Sequence, residues 1–169
     1  MNRLFLFTAG FTSFMLVAST VAAHAHKDHD HNSAGIGSSV PGNASSPETV
    51  LNTYRQAIER LDGSAMAELF TEDSLVFENG KAEGSFANYL THHLGPELHH
   101  VTSFQFTEPK VSVTIYGDTA VAHESYGYVI VLGDDRTIKR QGVATSVLRK
   151  TGGSWKIVQY HSSSRAPKK

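Results

Sequence analysis

From about Ser103 to Arg165 the chain repeats one pattern: a long stretch rich in β-branched and aromatic residues, then a short turn. The turns fall at Gly117-Asp118, Gly133-Asp134-Asp135 and Gly152-Gly153. They predict strands over about Ser103–Tyr116, Thr119–Leu132, Arg136–Lys150 and Trp155–Ser163. Connections this short make successive strands antiparallel neighbours. Pro109 interrupts the first strand. Proline cannot donate to a ladder, so it marks a bulge or an edge position there. A sheet of this kind must cover one face, and the cover has to come from earlier in the chain.

Residues 47–102 carry a different period. Ser46-Pro47-Glu48 reads as a helix start, with a hydroxyl N-cap, proline at N1 and an acid in the first turn. Val50, Leu51, Tyr54, Ala57, Ile58 and Leu61 then recur at helical spacing, and Asp62-Gly63 stops the run. A second short helix is expected over about Ser64–Phe70, with Met66, Leu69 and Phe70 on one side. Ser74–Phe77 reads as a brief strand and Glu78-Asn79-Gly80 as a tight turn. Ser85 caps a third helix that carries Phe86, Tyr89, Leu90 and His93 on one side, and Gly95-Pro96 is expected to end it. The fold class is therefore α+β: three N-terminal helices packed on a curved antiparallel sheet.

The first 46 residues read as processing and linker sequence. Met1–Arg3 followed by the apolar Leu4–Val17 has the pattern of a signal peptide, taken as residues 1–25. Cleavage is possible after Val21-Ala22-Ala23 or after Ala23-His24-Ala25. The expectation is a periplasmic or secreted protein. The apolar run is short for a membrane span, so no stable membrane anchor is expected after cleavage. Residues 26–46 are His-rich, then Ser/Gly-rich, and residues 166–169 form a basic tail after a domain over 47–165. Four of the ten histidines, His24, His26, His29 and His31, fall close together beside Asp28 and Asp30. Imidazole with carboxylate suits Cu, Ni or Zn, and a solvated polar tail is the alternative.

Composition narrows the functional classes. Fifteen basic residues against sixteen acidic ones give a net charge of -1, which argues against a nucleic-acid partner. The absence of cysteine excludes disulfides, thiolate nucleophiles and thiolate-bound zinc.

The stretch Gly142–Lys150, then Gly152-Gly153-Ser154-Trp155-Lys156-Ile157-Val158, then His161 and Ser163, resembles the C-terminal hairpin of the NTF2-like superfamily (cystatin-like cone fold) and, within it, the SnoaL-like/DUF4440 group. The likeness spans about Pro47–Arg165. It implies a pocket between the helices and the concave sheet face, and a homodimer through the outer face. Val143, Thr145 and Val147 would lie at the centre of that interface. It does not fix the function, because the superfamily holds isomerases, dehydratases, cyclases, epoxide hydrolases and binding domains.

Parity suggests the pocket lining. Trp155, Ile157, Gln159, His161 and Ser163 share one face of the last strand, so His161 is expected inside with Trp155 and Ile157. On the strand Thr119–Leu132, His123 alternates with Glu124 and Tyr126, and parity leaves open which set faces in. His93 follows the apolar side of its helix. The expected ligand-binding set is Tyr54, Tyr89, His93, His123, Tyr126, Trp155 and His161. His123 and His161 are the candidates for acid–base catalysis. A convergent metal site of His93, His123 and His161, with Glu97 or Glu78, is a further possibility, although no HxxxH or HExxH spacing is present. An isomerase would need a carboxylate base and a hydroxyl donor. Glu78 and Glu124 are the acids available, and Tyr54, Tyr89, Tyr126, Tyr128 and Tyr160 the donors; Glu124 reads equally well as an exposed cross-strand partner of a cation. The leading expectation is small-molecule binding, with a lyase or isomerase and metal handling as alternatives.

Overall fold

The structure is a computed structural model, and it describes residues 46–168. The expected signal peptide and the histidines at 24, 26, 29 and 31 lie outside the described residues. Ser46 caps α1 (Pro47–Glu59) by accepting from the Thr49 N–H at 3.2 Å. Leu61 ends the run in the left-handed region, at φ 57°. Asp62 then caps α2 (Gly63–Ala67) through the Ala65 N–H at 3.0 Å.

The second helix is shorter than its spacing suggests. Phe70 opens β1 (Phe70–Glu78) instead of closing α2, because it pairs with Ile157 in the sheet and stacks on Phe86 at 3.9 Å. Asn79 and Gly80, both at positive φ, then turn the chain into β2 (Lys81–Gly84). That geometry is the hairpin turn that the Asn-Gly pair favours.

Ser85 caps α3 (Phe86–Tyr89). The helix does not end at Gly95-Pro96. It widens into a π-turn (Leu90–Leu94) and continues as α4 (Gly95–Leu98). Pro96 has no N–H to give the His92 carbonyl, and its ring would crowd that oxygen in a regular α-turn. The extra residue relieves the crowding, and the Gly95 N–H reaches the Leu90 carbonyl instead. A Cβ on Gly95 would stand 2.5 Å from that oxygen.

Four long strands follow: β3 (Val101–Tyr116), β4 (Thr119–Leu132), β5 (Thr137–Thr151) and β6 (Ser154–Arg165). The curved, unclosed sheet has the order β2-β1-β6-β5-β4-β3. It is antiparallel except that β1 runs parallel to β6, a departure from the wholly antiparallel expectation. β3 is one edge strand, with β2 at the other edge, and its register shifts between Thr107 and Lys110, where Glu108 has φ 49° beside Pro109. Glu59 at the end of α1 accepts from the Phe106 N–H of this edge at 2.9 Å.

The core lies on the concave face. Val50, Leu51, Tyr54 and Ala57 of α1, with Met66, Phe86 and Tyr89, pack against Val76, Ala120, Ala122, Ala144, Leu148, Trp155, Ile157 and Tyr160. Burying each large aliphatic side chain contributes about 1.5–3 kcal/mol. None of the described helices is long and apolar enough to cross a membrane.

Gly95→Ala tests the π-turn. The added methyl meets a backbone carbonyl that cannot swing away, so the variant should lose about 1–3 kcal/mol in urea denaturation. An unchanged midpoint would show that the close approach at Leu90 is not needed.

Candidate functional site

Strand parity decides what the concave face presents. On β4 the inward set is Ala120, Ala122, Glu124, Tyr126, Tyr128, Ile130 and Leu132, so His123 lies exposed on the outer face. On β6 the register slips where Leu148 pairs with Ile157 but Val147 pairs with Gln159. Val158 is the extra residue. Trp155 and Ile157 face in, and beyond the slip Tyr160 faces in instead of His161. A one-residue bulge flips every later side chain. His161 is thus outside, exposed, with its ring 6.0 Å from Phe77. The expected inward placement of His161 is corrected by this bulge; for His123, whose face parity left open, β4 settles the outer side and removes it from the expected ligand-binding set.

His93, His123 and His161 therefore do not converge. His123 and His161 stand in one outer row with Thr145 between them, whereas His93 lies on the helical side. Among the described residues, no group of His, Asp and Glu is suited to hold a metal ion. Trp155 is a core residue and borders a separate surface pocket of about 280 Å³ between α1 and β6.

The inner face carries a row that sequence reading did not assemble. Glu78, Ser162, Ala144 and Glu124 are in register across β1, β6, β5 and β4. In the next row Ser164, Gly142 and Tyr126 align, and the Tyr126 ring lies against Gly142, where a Cβ would collide with it. In the first row two small residues stand between acidic ends. Tyrosines lie beside these rows. Tyr128 donates to the Ser164 hydroxyl at 2.9 Å, the Tyr126 and Tyr160 hydroxyls are 3.5 Å apart, and the Tyr54 ring meets Tyr160 edge-on at 5.2 Å. Burial pushes Tyr126 up to about 12 and holds Tyr54, Tyr89 and Tyr160 well above the ordinary phenol value. All four are neutral hydrogen-bond donors at neutral pH. Tyr126 also borders an open trough of about 510 Å³ that reaches the outer rim at Lys110 and Arg165.

The two acids have different partners. Glu124 is 5% exposed, and it is not the solvent-facing strand residue that the sequence left as an alternative. It pairs with Arg55 of α1. Burial raises its pKa, against the pull of the guanidinium. Glu78 accepts from the Tyr89 hydroxyl at 2.9 Å. Burial raises its pKa also, against the Tyr89 bond and His93.

His93 projects from the π-turn into a third set of carboxylates. Nδ1 is 2.9 Å from Glu83, and Nε2 is 3.3 Å from Glu97 and 3.8 Å from Glu78. Glu83 is buried, which raises its pKa, but hydrogen bonds from Lys81 and His93 outweigh burial and leave it below the ordinary value. Burial raises Glu97, against His93. Arg55 and Glu83 were not singled out from sequence. Arg55 follows Leu51 by four positions, so a charge on the apolar side of α1 was the available signal. Glu83 had none, because β2 was not expected.

Of the expected set, Tyr54, Tyr89, His93 and Tyr126 lie on the inner, helix-covered side with Glu78 and Glu124; His123 and His161 lie on the outer face, and Trp155 packs in the core beside the α1–β6 pocket.

Residues 48–167 match the SnoaL-like domain family. Solved structures with a similar fold include a ketosteroid isomerase-like protein from Erwinia carotovora atroseptica, with TM-score 0.61 and 21% identity, covering 71% of this chain and 94% of that one. An NTF2-like superfamily protein from Salmonella enterica serovar Typhimurium gives TM-score 0.60 and 20% identity over 71% and 87%. An NTF2-like family protein from Streptomyces avermitilis gives 0.62 and 19% over 71% and 94%. Likeness at these identities concerns the fold. No match was found among curated proteins.

Two measurements check the interior electrostatics. The folded pKa of Glu78 lies above its unfolded value, so its stabilising contribution is complete below the ordinary 4.5 and is lost as pH rises through the folded value. Glu78→Gln still accepts from Tyr89 and cannot ionise. Between about pH 4 and about pH 7 its stability should fall less than the parent's in urea denaturation, and equal falls would contradict the buried-acid assignment. Separately, Arg55→Met should cost about 3–5 kcal/mol, because it strands the Glu124 charge, whereas Arg55→Met with Glu124→Leu should recover most of the loss. Additive losses would show that the two groups do not act as a pair.

Proposed function

The chain belongs to the SnoaL-like domain family, and from that premise we propose that it binds a small molecule on the concave face of its sheet. The observation that carries this reading is the inner row in which Ser162 and Ala144 separate Glu78 from Glu124. Bulky apolar residues there would extend the core; small ones leave a space edged by carboxyls and phenols. The wall at β3 and β4 is aromatic, with Phe104 stacked on Tyr128 at 5.2 Å and Phe106 edge-on to Tyr126 at 5.0 Å. A flat, mostly apolar ligand with a carbonyl or hydroxyl group fits such a lining. Tyr54, Tyr89, His93 and Tyr126 keep the ligand-facing role expected of them, joined by Glu78, Tyr128 and Tyr160.

One observation favours a second reading, an isomerase or lyase. Glu78 is a half-buried carboxyl with raised proton affinity, a phenol donor on it and an imidazole beside it. A carboxyl in that setting can take a proton from a carbon next to a carbonyl and return it elsewhere, with a neighbouring tyrosine hydroxyl donating to the developing oxyanion. The histidine that serves this reading is His93.

A panel of small cyclic ketones and phenols, screened by ligand-observed NMR, separates the readings. Ala144→Leu fills the floor and should weaken any hit by about tenfold or more, whereas Val143→Leu on the outer face should leave it unchanged. A hit indifferent to Ala144→Leu binds elsewhere and removes the concave-face assignment. Glu78→Gln should retain binding and abolish any turnover; turnover that survives it removes the enzyme reading.

A further inference from the structure

His93 sits where several elements meet. The π-turn carries it, β1 brings Glu78, β2 brings Lys81 and Glu83, and α4 brings Glu97. The Tyr89 ring of α3 lies edge-on to it at 5.3 Å. The two ring nitrogens face different carboxylates. Glu83 is 6% exposed, bound by Lys81 at 2.9 Å, and held ionised, so toward His93 it can only accept. Nδ1 therefore carries a hydrogen, and in the neutral ring the free lone pair is on Nε2. That nitrogen stands between Glu78, on the inner row with 17% of its side-chain surface exposed, and Glu97, whose side chain is the more exposed at 29%.

We propose that His93 is a proton relay that joins Glu78 to solvent through Glu97, with Glu83 fixing the ring. The inference rests on the reading that Glu78 exchanges a proton with the bound molecule. The doubly protonated ring gives its Nε2 hydrogen to the Glu78 carboxylate: the Nε2–H bond breaks and an O–H bond forms. The Nδ1 hydrogen stays on the ring, donated to Glu83. The freed Nε2 lone pair then takes the proton of the Glu97 carboxyl, and Glu97 regains one from water. One proton has moved from water to Glu78, nothing is oxidised or reduced, and the sequence runs equally in reverse. The 3.8 Å gap to Glu78 must close by about 1 Å for direct transfer, a side-chain adjustment.

The relay has a chemical consequence. An allylic shift returns the same proton to the substrate and needs no path to water. In an elimination of water Glu78 takes the C–H proton, while the departing hydroxide takes a proton from another donor and leaves as water. Glu78 then holds one proton to pass out, and this arrangement returns it to solvent, with the reverse for an addition. His93 is thus a positioning and relay residue that acts through Glu78, and it points to substrates that lose or gain water.

The test needs no substrate. Full-length protein labelled with ¹⁵N-histidine, read by long-range ¹H–¹⁵N NMR, should show neutral His93 protonated on Nδ1. Glu83→Met, which removes the acceptor, should move the hydrogen to Nε2. Exchange of the Tyr89 hydroxyl proton with water reports on the path, because that proton rests on Glu78. His93→Gln and Glu97→Gln should each slow it by about tenfold or more. A merely structural loss would loosen the site and speed it. Nε2–H in the parent, or exchange undiminished in both variants, overturns the relay. If His93→Gln does not fold, Glu97→Gln on the half-exposed α4 decides alone. Turnover that persists in Glu78→Gln defeats the underlying proton-transfer reading instead, and it leaves the tautomer and exchange results as they are.

Discussion

The concave face depends on side chains too small to fill it. Ala120 and Ala122 on β4, Gly142, Ala144 and Ser146 on β5, and Ser162 and Ser164 on β6 form most of its middle. With so little bulk on the sheet, α1 comes close enough for Tyr54 to touch Phe70, Phe86 and Tyr160 together. Where aromatic residues reach the floor they complete the core; where they do not, small residues separate Glu78 from Glu124. Packing density and the candidate site are set by the same choice of residue size.

Charge inside such a space has to be compensated locally. Arg55 answers Glu124, and Lys81 with His93 answers Glu83. Glu78 receives a hydrogen bond from a phenol, with an imidazole and the Lys81 ammonium farther off. It is therefore the interior acid whose proton is least firmly assigned, which suits a group that must change protonation state. The uneven distribution of cations among otherwise similar carboxylates separates structural acids from a reactive one.

Much of the scaffold was legible in the chain, because it is written in local signals. The Ser46 and Ser85 caps, the Asn79-Gly80 turn, the bounds of β4 and the disruption at Pro109 are decided by residues within a few positions. The site was legible only in part. Tyr54, Tyr89 and His93 follow helical periodicity, so their placement could be read. His161 could not, since the slip at Val158 comes from the match between β5 and β6 and has no mark in the sequence of either strand. The continuation of the helix through Gly95-Pro96 was hidden for a related reason: two residues that usually stop a helix were absorbed by a wider turn. Phe70 fits a helical stripe by spacing and enters a strand because β6 and Phe86 offer it more contact.

The bulge at Glu108-Pro109 also has a bearing on solubility. An edge strand as long as β3 offers a neighbouring chain a row of open amide and carbonyl groups, the usual starting point for sheet-to-sheet aggregation. Here that row is cut in two. The kink at Glu108 and the missing N–H of Pro109 break its periodicity, and the Glu59 carboxylate occupies the Phe106 amide on the near side of the break. An incoming strand finds no long uninterrupted template to copy, so the sheet can stay open at β3 without growing.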